Sequence, residues 1–103
     1  MNFQHQALVK QIHTRSNKGG IQMFKARTAD GRNNISGLRV KELRKALQIS
    51  QRELSDRLQV VGLDIDKNAV QRIESGERFV TDIEIIALSK CFNVTVNNLL
   101  GIK

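Results

Sequence analysis

Residues 50–76 carry the start and stop signals of two short helices that follow each other closely. Ser50 precedes Glu53 by three residues, which is the pattern of a capping box at the start of a helix. Asp66 is a typical N-cap residue, and Gly76 can supply the left-handed conformation that commonly ends a helix. The segment therefore predicts one helix after Ser50 and a second helix between Asp66 and Gly76.

The second of these helices has one apolar side and one polar side. The apolar side holds Ala69, Val70 and Ile73. The polar side consists of Lys67, Asn68, Gln71, Arg72 and Ser75. Amides pair with adenine, and basic groups pair with guanine or a phosphate oxygen, so a short helix of this kind suits the major groove of DNA. The alternative is the ordinary solvated face of a helix bundle, because most surface helices are polar on one side.

Three further helices are predicted on either side of this pair. One runs from about Ser36 to Leu47, and another begins at a second capping box that opens with Thr81. Thr95 caps a short last helix. Five helices with short connections and no strands predict a compact all-α domain over residues 36–103.

Apolar residues at helical spacing define the predicted core. The side chains expected to face inward are Val40, Leu43, Leu47, Ile49, Leu54, Leu58, Ile83, Ile86, Ala87 and Phe92. Three more are expected to extend the second helix and to pack the loop that follows it, namely Val60, Val61 and Leu63. The last helix is too short to bury all of its apolar residues, which makes them candidates for a dimer interface: Val96, Leu99 and Leu100.

The N-terminal third of the chain differs in composition from the rest. Residues 1–35 show little apolar periodicity and contain many Gly, Asn, Ser and Thr, which predicts a flexible arm. Residues 1–33 hold six Lys or Arg against one acid, a net charge of +5, whereas residues 34–103 hold eleven against nine, a net charge of +2. The arm is therefore basic and the domain only mildly so.

Two interpretations of residues 1–22 stay open. They are either part of the native basic arm or a translated leader. The peptide Lys-Gly-Gly-Ile-Gln at residues 18–22 can be encoded by AAAGGAGGAATTCAA, a strong bacterial ribosome-binding site at the proper distance from a start codon. In the second interpretation, Met23 is the natural start.

Composition also excludes several classes of protein. No apolar run approaches the roughly 20 residues that span a bilayer, and no hydrophobic region of a signal peptide is recognisable near Met1. The single cysteine, Cys91, excludes an intramolecular disulfide, so a cytoplasmic protein is expected. The two histidines, His5 and His13, lie in the arm, and no metal-ligand pattern, Gly-rich phosphate loop or activated nucleophile is recognisable. We therefore expect no catalysis, cofactor, metal or small-molecule substrate.

Five stretches of the sequence together resemble a known family. They are VKELRKAL (40–47), ISQRELSDRL (49–58), IDKNAVQRIESGERFV (65–80), TDIEIIALSKCFNV (81–94) and TVNNLL (95–100). In this order and spacing they resemble the five-helix DNA-binding domain of the lambda-type phage repressors and of the wider xenobiotic-response-element family of bacterial regulators. The resemblance implies a transcription regulator, expected to be a repressor, that binds double-stranded DNA through a helix-turn-helix motif.

The resemblance also implies roles for individual residues. Gln51 matches a residue that contacts a phosphate and braces the recognition helix, and Arg78 matches one that grips the DNA backbone. Ser75, at the end of the polar side, is a further phosphate candidate. Arg44 and Glu74 match a partly buried ion pair. The positions that read bases or adjacent phosphates are matched by Lys67, Asn68, Gln71 and Arg72.

Two features depart from the family pattern. Relatives usually join the second and third helices by a turn of about four residues, which residues 59–64 lengthen by roughly five. The sequence therefore does not determine the angle between the two helices. Gln48 stands where relatives commonly carry the glycine that ends the first helix, and a non-glycine residue in that left-handed conformation costs about 1 kcal/mol.

The resemblance further implies how the domain meets its partners. A homodimer is expected to bind a near-palindromic operator with half-sites one helical turn apart, ~34 Å. The alternative is an antitoxin-like or coactivator-like module of the same fold, whose main partner is another protein. Binding to random duplex DNA separates the two, because phosphate contacts make affinity fall steeply with salt.

Overall fold

A computed structural model describes residues 27–103, and all regular secondary structure in that part of the chain is helical. The helices are α1 (Ser36–Ala46), α2 (Gln51–Val60), α3 (Lys67–Ser75), α4 (Asp82–Phe92) and α5 (Val96–Leu100). α3 packs against α1 and α2, while α5 packs against α1 and α4. The predicted all-α, five-helix class is confirmed. Most of the predicted arm, and the leader interpretation of residues 1–22, lie outside the described residues.

The capping residues predicted from the sequence begin four of the helices. Ser50 Oγ accepts from the Glu53 N–H at 3.0 Å, and the Glu53 carboxylate accepts from the Ser50 N–H at 2.8 Å. A second capping box opens α4 at Thr81. Asp66 and Thr95 each accept one N–H bond at the start of α3 and α5. These local bonds satisfy backbone donors that would otherwise lack partners, so each helix has a defined first residue.

α1 ends in a left-handed residue that is not glycine. Gln48 has φ of +59°, as predicted from the glycine that relatives carry there. Its N–H donates to the Lys45 carbonyl at 2.9 Å, and the Ile49 N–H donates to the Arg44 carbonyl at 3.3 Å. These two bonds form a Schellman motif, which turns the chain toward α2.

The core takes apolar side chains from all five helices. Those that are at most 1% exposed are Val40, Leu54, Leu58, Val70, Ile73, Leu88 and Leu99. Fully burying a side chain of this size contributes about 1.5–3 kcal/mol. Val70 and Ile73 belong to α3, so this helix is held firmly by its inner side. Ile49, also predicted to be inward, is buried as well.

The predicted inner face of α4 is partly wrong. Ile83 is 70% exposed and Ile86 is 50% exposed, whereas Leu88 and Ala87 are buried. α4 carries apolar residues on most of its circumference, so periodicity alone does not select a face. The helix is rotated because Glu84 turns inward, where its carboxylate pairs with a guanidinium from the preceding loop.

Apolar residues beside the connections also differ from prediction. Leu47 is 48% exposed, because α1 ends one residue earlier and the chain then turns away from the core. Val60 and Val61 do not pack the loop after α2, since they are 87% and 38% exposed. Leu63 and buried Ile65 pack it instead.

The prediction that Leu99 contributes to a dimer interface is wrong. Its side chain is fully buried in the core, so it cannot meet a second copy of the chain. Val96 and Leu100, the other two candidates of α5, are partly exposed. The short helix buries one of its three apolar side chains completely because α5 packs against both α1 and α4.

Residues 32–34, predicted to belong to a flexible arm, bond to the domain instead. The Asn33 N–H donates to the Gly76 carbonyl at 2.7 Å. Asn34 is 9% exposed, and its Oδ1 accepts from the Gly37 N–H at 2.8 Å near the start of α1. Polar bonds rather than apolar contacts hold this segment, so it leaves no hydrophobic periodicity in the sequence. Within residues 27–103, no helix is long and apolar enough to cross a membrane.

Candidate nucleic-acid interface

α3 buries one side and presents the other to solvent. Ala69, Val70, Ile73 and Glu74 are buried. The exposed side chains are those of Lys67, Asn68, Gln71, Arg72 and Ser75. Among the described residues, the side chains of the first four take part in no hydrogen bond or ion pair with the protein. A fixed helix with four unengaged polar side chains can offer their donors and acceptors to a ligand.

The spacing of these residues suits stacked bases. Lys67 and Gln71 are four residues apart, which is about 6 Å along a helix axis. Successive bases along a DNA strand are about 3.4 Å apart. The exposed side of α3 can therefore reach two or three successive base pairs.

A buried carboxylate fixes the C-terminal half of α3. Glu74 Oε2 accepts from Arg44 Nε at 2.6 Å, and Glu74 Oε1 accepts from Arg44 Nη2 at 3.0 Å. Gln51 Nε2 donates to the same Oε1 at 3.1 Å, and Arg44 Nη1 donates to the Ile49 carbonyl at 2.9 Å. Hydrogen bonding with Glu74 raises the pKa of Arg44 above its ordinary value. The ion pair expected from the sequence is thus present, and Gln51 joins it from the first turn of α2.

The three phosphate candidates are each engaged with the protein. Gln51 bonds Glu74, and Ser75 Oγ donates to a backbone carbonyl of its own helix at 3.2 Å. Arg78 Nη2 lies 2.6 Å from Glu84 Oε2, and about a third of the Arg78 side chain is exposed. Each of these residues can therefore bind a phosphate only through hydrogen-bond donors that are not already used within the protein.

An additional set of bonds at the C-terminal end of α3 comes from Arg32. Its Nη2 donates to the Glu74 carbonyl at 2.9 Å and to the Ile73 carbonyl at 3.4 Å. The last carbonyls of a helix lack partners within the helix, and a cation is favourable at that end of its dipole. No candidate site predicted from the sequence includes Arg32, because it stands among polar residues with no helical pattern.

Two asparagines continue these bonds into the loop after α3. Asn34 Nδ2 donates to the Ile73 carbonyl at 3.1 Å and to the Arg78 carbonyl at 2.8 Å. Asn33 Nδ2 donates to the Glu77 carbonyl at 2.9 Å. We call residues 32–34 the clamp. The one sequence signal that could have located it is a pair of asparagines just before α1, since Asn is a preferred N-cap residue.

The surface beside α3 carries both signs of charge. An open depression there is lined by Asp64, Ile65, Asp66, Ala69, Arg72 and Arg78. Two carboxylates thus lie near two guanidinium groups. Bulk positive charge is therefore not what distinguishes this surface, and any selectivity must come from the arrangement of particular side chains.

The described residues offer little to other kinds of chemistry. Within residues 27–103, no group of three or more His, Cys, Asp or Glu residues could hold a metal ion. Burial raises the pKa of the Cys91 thiol, which opposes formation of the reactive thiolate. The polar side of α3 is therefore the strongest candidate for a functional surface in this part of the chain.

Comparisons with known proteins agree with this geometry. A family model described as Helix-turn-helix matches residues 40–99. The crystal structure of the restriction-modification controller protein C.AhdI from Aeromonas hydrophila is similar, with a TM-score of 0.54 and 28% sequence identity. That match covers 62% of this chain and 86% of the controller protein. No curated protein matches the sequence. The chain belongs to the helix-turn-helix family of the xenobiotic-response-element type, a family of DNA-binding transcription regulators.

Proposed function

We propose that this protein is a sequence-specific transcription regulator that places α3 in the major groove of double-stranded DNA. The observation that carries the proposal is a row of four polar side chains on a helix whose other side is buried, because these four make no hydrogen bond or ion pair within residues 27–103. The residues proposed to read base edges are Lys67, Asn68, Gln71 and Arg72. A rigid helix loses little conformational freedom on binding, so more of the contact energy is available for affinity.

The chemistry of this row allows discrimination between base pairs. The amides of Asn68 and Gln71 can bond adenine, and the cations of Lys67 and Arg72 can bond guanine. Each good pair of such bonds is worth about 1–3 kcal/mol of preference against the wrong base. Gln51, Ser75 and Arg78 are proposed to hold phosphates with their remaining donors, which would fix the register of the protein without reading sequence.

We assign the regulator the role of a repressor. Occupying an operator that overlaps a promoter blocks polymerase sterically and needs nothing beyond tight, specific binding. The similarity to a restriction-modification controller protein supports a regulatory role over that of a module that binds proteins alone.

The proposed assembly is a homodimer on a near-palindromic operator, with half-sites ~34 Å apart. Because Leu99 is buried, the proposed interface moves toward α4. Ile83 and Ile86 lie one turn apart on that helix and are 70% and 50% exposed. With partly exposed Val96 and Leu100 they supply large apolar side chains from two helices that pack together. Apolar surface of this kind commonly marks a site of association.

Sedimentation equilibrium tests the interface. The double variant Ile83→Asp, Ile86→Asp should stay folded, because both side chains are exposed, and should become monomeric with loss of cooperative DNA binding. Val60→Asp is the matched control, since Val60 is 87% exposed but lies on the connection after α2. Association that survives the double variant would locate the interface elsewhere.

Selection from a random duplex library tests the function. The wild-type chain should enrich a near-palindromic sequence, and its affinity for random DNA should fall with salt at a slope of about −0.9 per neutralised phosphate. If no sequence is enriched and affinity is weak at every salt concentration, the interaction-module alternative takes the place of the regulator.

A further inference from the structure

The guanidinium of Arg32 occupies a slot between two glycines. A Cβ atom on Gly37 would lie 2.5 Å from Arg32 Nη2 and 1.9 Å from the Ile73 carbonyl oxygen. A Cβ atom on Gly76 would lie 2.8 to 3.0 Å from carbons of the Arg32 side chain. Gly76 also has φ of +87°, which disfavours other residues. Both glycines thus leave the space that Arg32 fills.

The hydrogen bonds of Arg32 join it to α3 rather than to solvent. Nη2 donates to the carbonyls of Ile73 and Glu74, and Nε donates to the Asn34 carbonyl at 3.3 Å. Each of these acceptors is a backbone oxygen of the domain. The charge of Arg32 is therefore directed at the negative end of the α3 dipole, and its placement is that of a structural group rather than a phosphate contact.

The opposite end of α3 is held by fewer bonds. Asp66 accepts from the Ala69 N–H at 2.8 Å, and Gln59 Nε2 donates to the Ile65 carbonyl at 3.3 Å. No side chain outside the adjoining connection and α2 contributes a hydrogen bond there among the described residues. The side-chain hydrogen bonds that reach α3 from other parts of the described chain are therefore concentrated at its C-terminal end.

We propose that the clamp, residues 32–34, is a positioning element that sets the direction of α3 in the DNA groove, with Arg32 as its principal residue. The inference rests on the proposed reading of bases by α3. The helix has nine residues and is about 13 Å long. A tilt of about 10° at its C-terminal end would move Lys67 by about 2 Å, which exceeds the ~0.5 Å that a precisely built binding site tolerates.

The test compares two arginines on the same segment. Arg32→Ala removes the side-chain bonds of Arg32 to the Ile73 and Glu74 carbonyls, whereas Arg27→Ala removes the same charge from an exposed residue five positions earlier. Affinities for the selected operator and for random duplex DNA are measured over a salt series. We expect Arg32→Ala to reduce the operator-to-random ratio by about tenfold or more while leaving the salt slope unchanged. Arg27→Ala should leave the ratio unchanged.

A second measurement follows the clamp without DNA. Amide hydrogen exchange at Gly76 and Arg78 should accelerate by about tenfold or more in Arg32→Ala, because the bonds from a charged donor to the last carbonyls of α3 are lost and the Gly76 N–H donates to one of these carbonyls. Arg32→Lys keeps the charge and part of the donor capacity, so it should restore part of the operator-to-random ratio. Lysine should not restore the wild-type ratio in full, because it lacks the planar set of N–H donors of the guanidinium group.

Three results would overturn the inference. An equal loss of affinity for operator and random DNA, with a flatter salt slope, would make Arg32 a phosphate contact. An unchanged ratio in folded Arg32→Ala would show that the clamp does not affect reading. If Arg32→Ala does not fold, Asn33→Ala takes its place, since it removes one side-chain bond to the Glu77 carbonyl, and an unchanged ratio there has the same meaning.

The failure of this inference can be distinguished from failure of the proposed function. If Gln71→Ala changes the operator-to-random ratio and Arg32→Ala does not, the clamp inference alone is wrong. If Gln71→Ala and the other α3 variants leave the ratio unchanged, α3 does not read bases, and the proposed function and the clamp inference fail together.

Discussion

The C-terminal end of α3 is tied to three other parts of the molecule, while its N-terminal end follows a connection that is partly exposed. At the C-terminal end, Glu74 pairs with Arg44 and Gln51, and the clamp bonds the last carbonyls. At the N-terminal end, Asp66 caps the helix after a connection in which Val61 is 38% exposed. The residues that hold α3 and the residues that face solvent are therefore different sets.

This difference indicates that one set of residues in α3 anchors the helix and another set is free to contact a ligand. Buried bonds at one end set its direction, and the exposed row from Lys67 to Arg72 is left without partners in the described part of the chain. Substitutions in the exposed row should then change DNA preference with little effect on stability. Substitutions at the anchored end should lower stability, with or without an effect on DNA preference.

The largest effect is expected at the buried carboxylate. Glu74→Ala leaves the partly buried Arg44 guanidinium, whose side chain is 12% exposed, without its counter-charge, which should lower the free energy of unfolding by about 3 kcal/mol. Urea denaturation measures it, with Gln71→Ala as an exposed control on the same helix, expected within about 0.5 kcal/mol of the wild type. A cost for Glu74→Ala of less than about 1 kcal/mol would mean that the pair does not anchor α3.

Adding one methyl group near each end of α3 sharpens the contrast. Gly37→Ala places a Cβ against the Ile73 carbonyl oxygen, so α1 must move away from α3 at a cost of about 1–3 kcal/mol or more. Gly62→Ala meets open space in the connection before α3, and its φ of +97° should cost about 1 kcal/mol. Thermal melts compare the two. Equal costs would argue against close packing at the C-terminal end.

A smaller gain is expected where α1 ends. Gln48→Gly relieves the left-handed conformation and should stabilise the domain by up to about 1 kcal/mol. Asn93 has nearly the same φ at the end of α4, but Asn adopts this conformation more readily, so Asn93→Gly should gain less. Urea denaturation of both variants checks the order. Neither variant touches α3, so operator preference should stay unchanged.

The smallest effect on stability is expected from the N-terminus. Deleting residues 1–22 leaves the clamp intact, so the melting temperature should change little. These residues include three Lys or Arg and no acid, so the deletion should also flatten the salt dependence of DNA binding. A large loss of stability would show that this segment packs on the domain and that the prediction of a flexible arm is wrong.

Local signals explain what could be predicted from the sequence. The caps at Ser50, Asp66, Thr81 and Thr95 act through bonds to residues three positions away, so they can be recognised without knowing the fold. The polar side of α3 could be predicted for the same reason, because helical periodicity assigns Lys67 and Gln71 to one side. Glu74 and Arg44 are 30 residues apart, and they were identified through the family resemblance.

What could not be predicted depends on distant bonds between polar groups. Ile83 and Ile86 were expected to face inward, but the pairing of Glu84 with Arg78 rotates α4 and exposes them. The clamp bonds join residues separated by about 40 positions, and no periodic pattern marks them. Hydrophobic periodicity indicates which side of a helix is buried. It does not indicate which backbone carbonyl an arginine side chain will bond.

The most direct test is the effect of one amide on sequence preference. Gln71→Ala should cost ~1–3 kcal/mol on the selected operator and little on random duplex DNA, with relaxed preference at one base pair. Asn93→Gly, which removes an exposed amide from the end of α4, should leave both affinities unchanged. Equal losses on both DNAs would make Gln71 a phosphate contact. An unchanged operator preference in folded Gln71→Ala, Lys67→Ala, Asn68→Ala and Arg72→Ala would contradict base reading by α3.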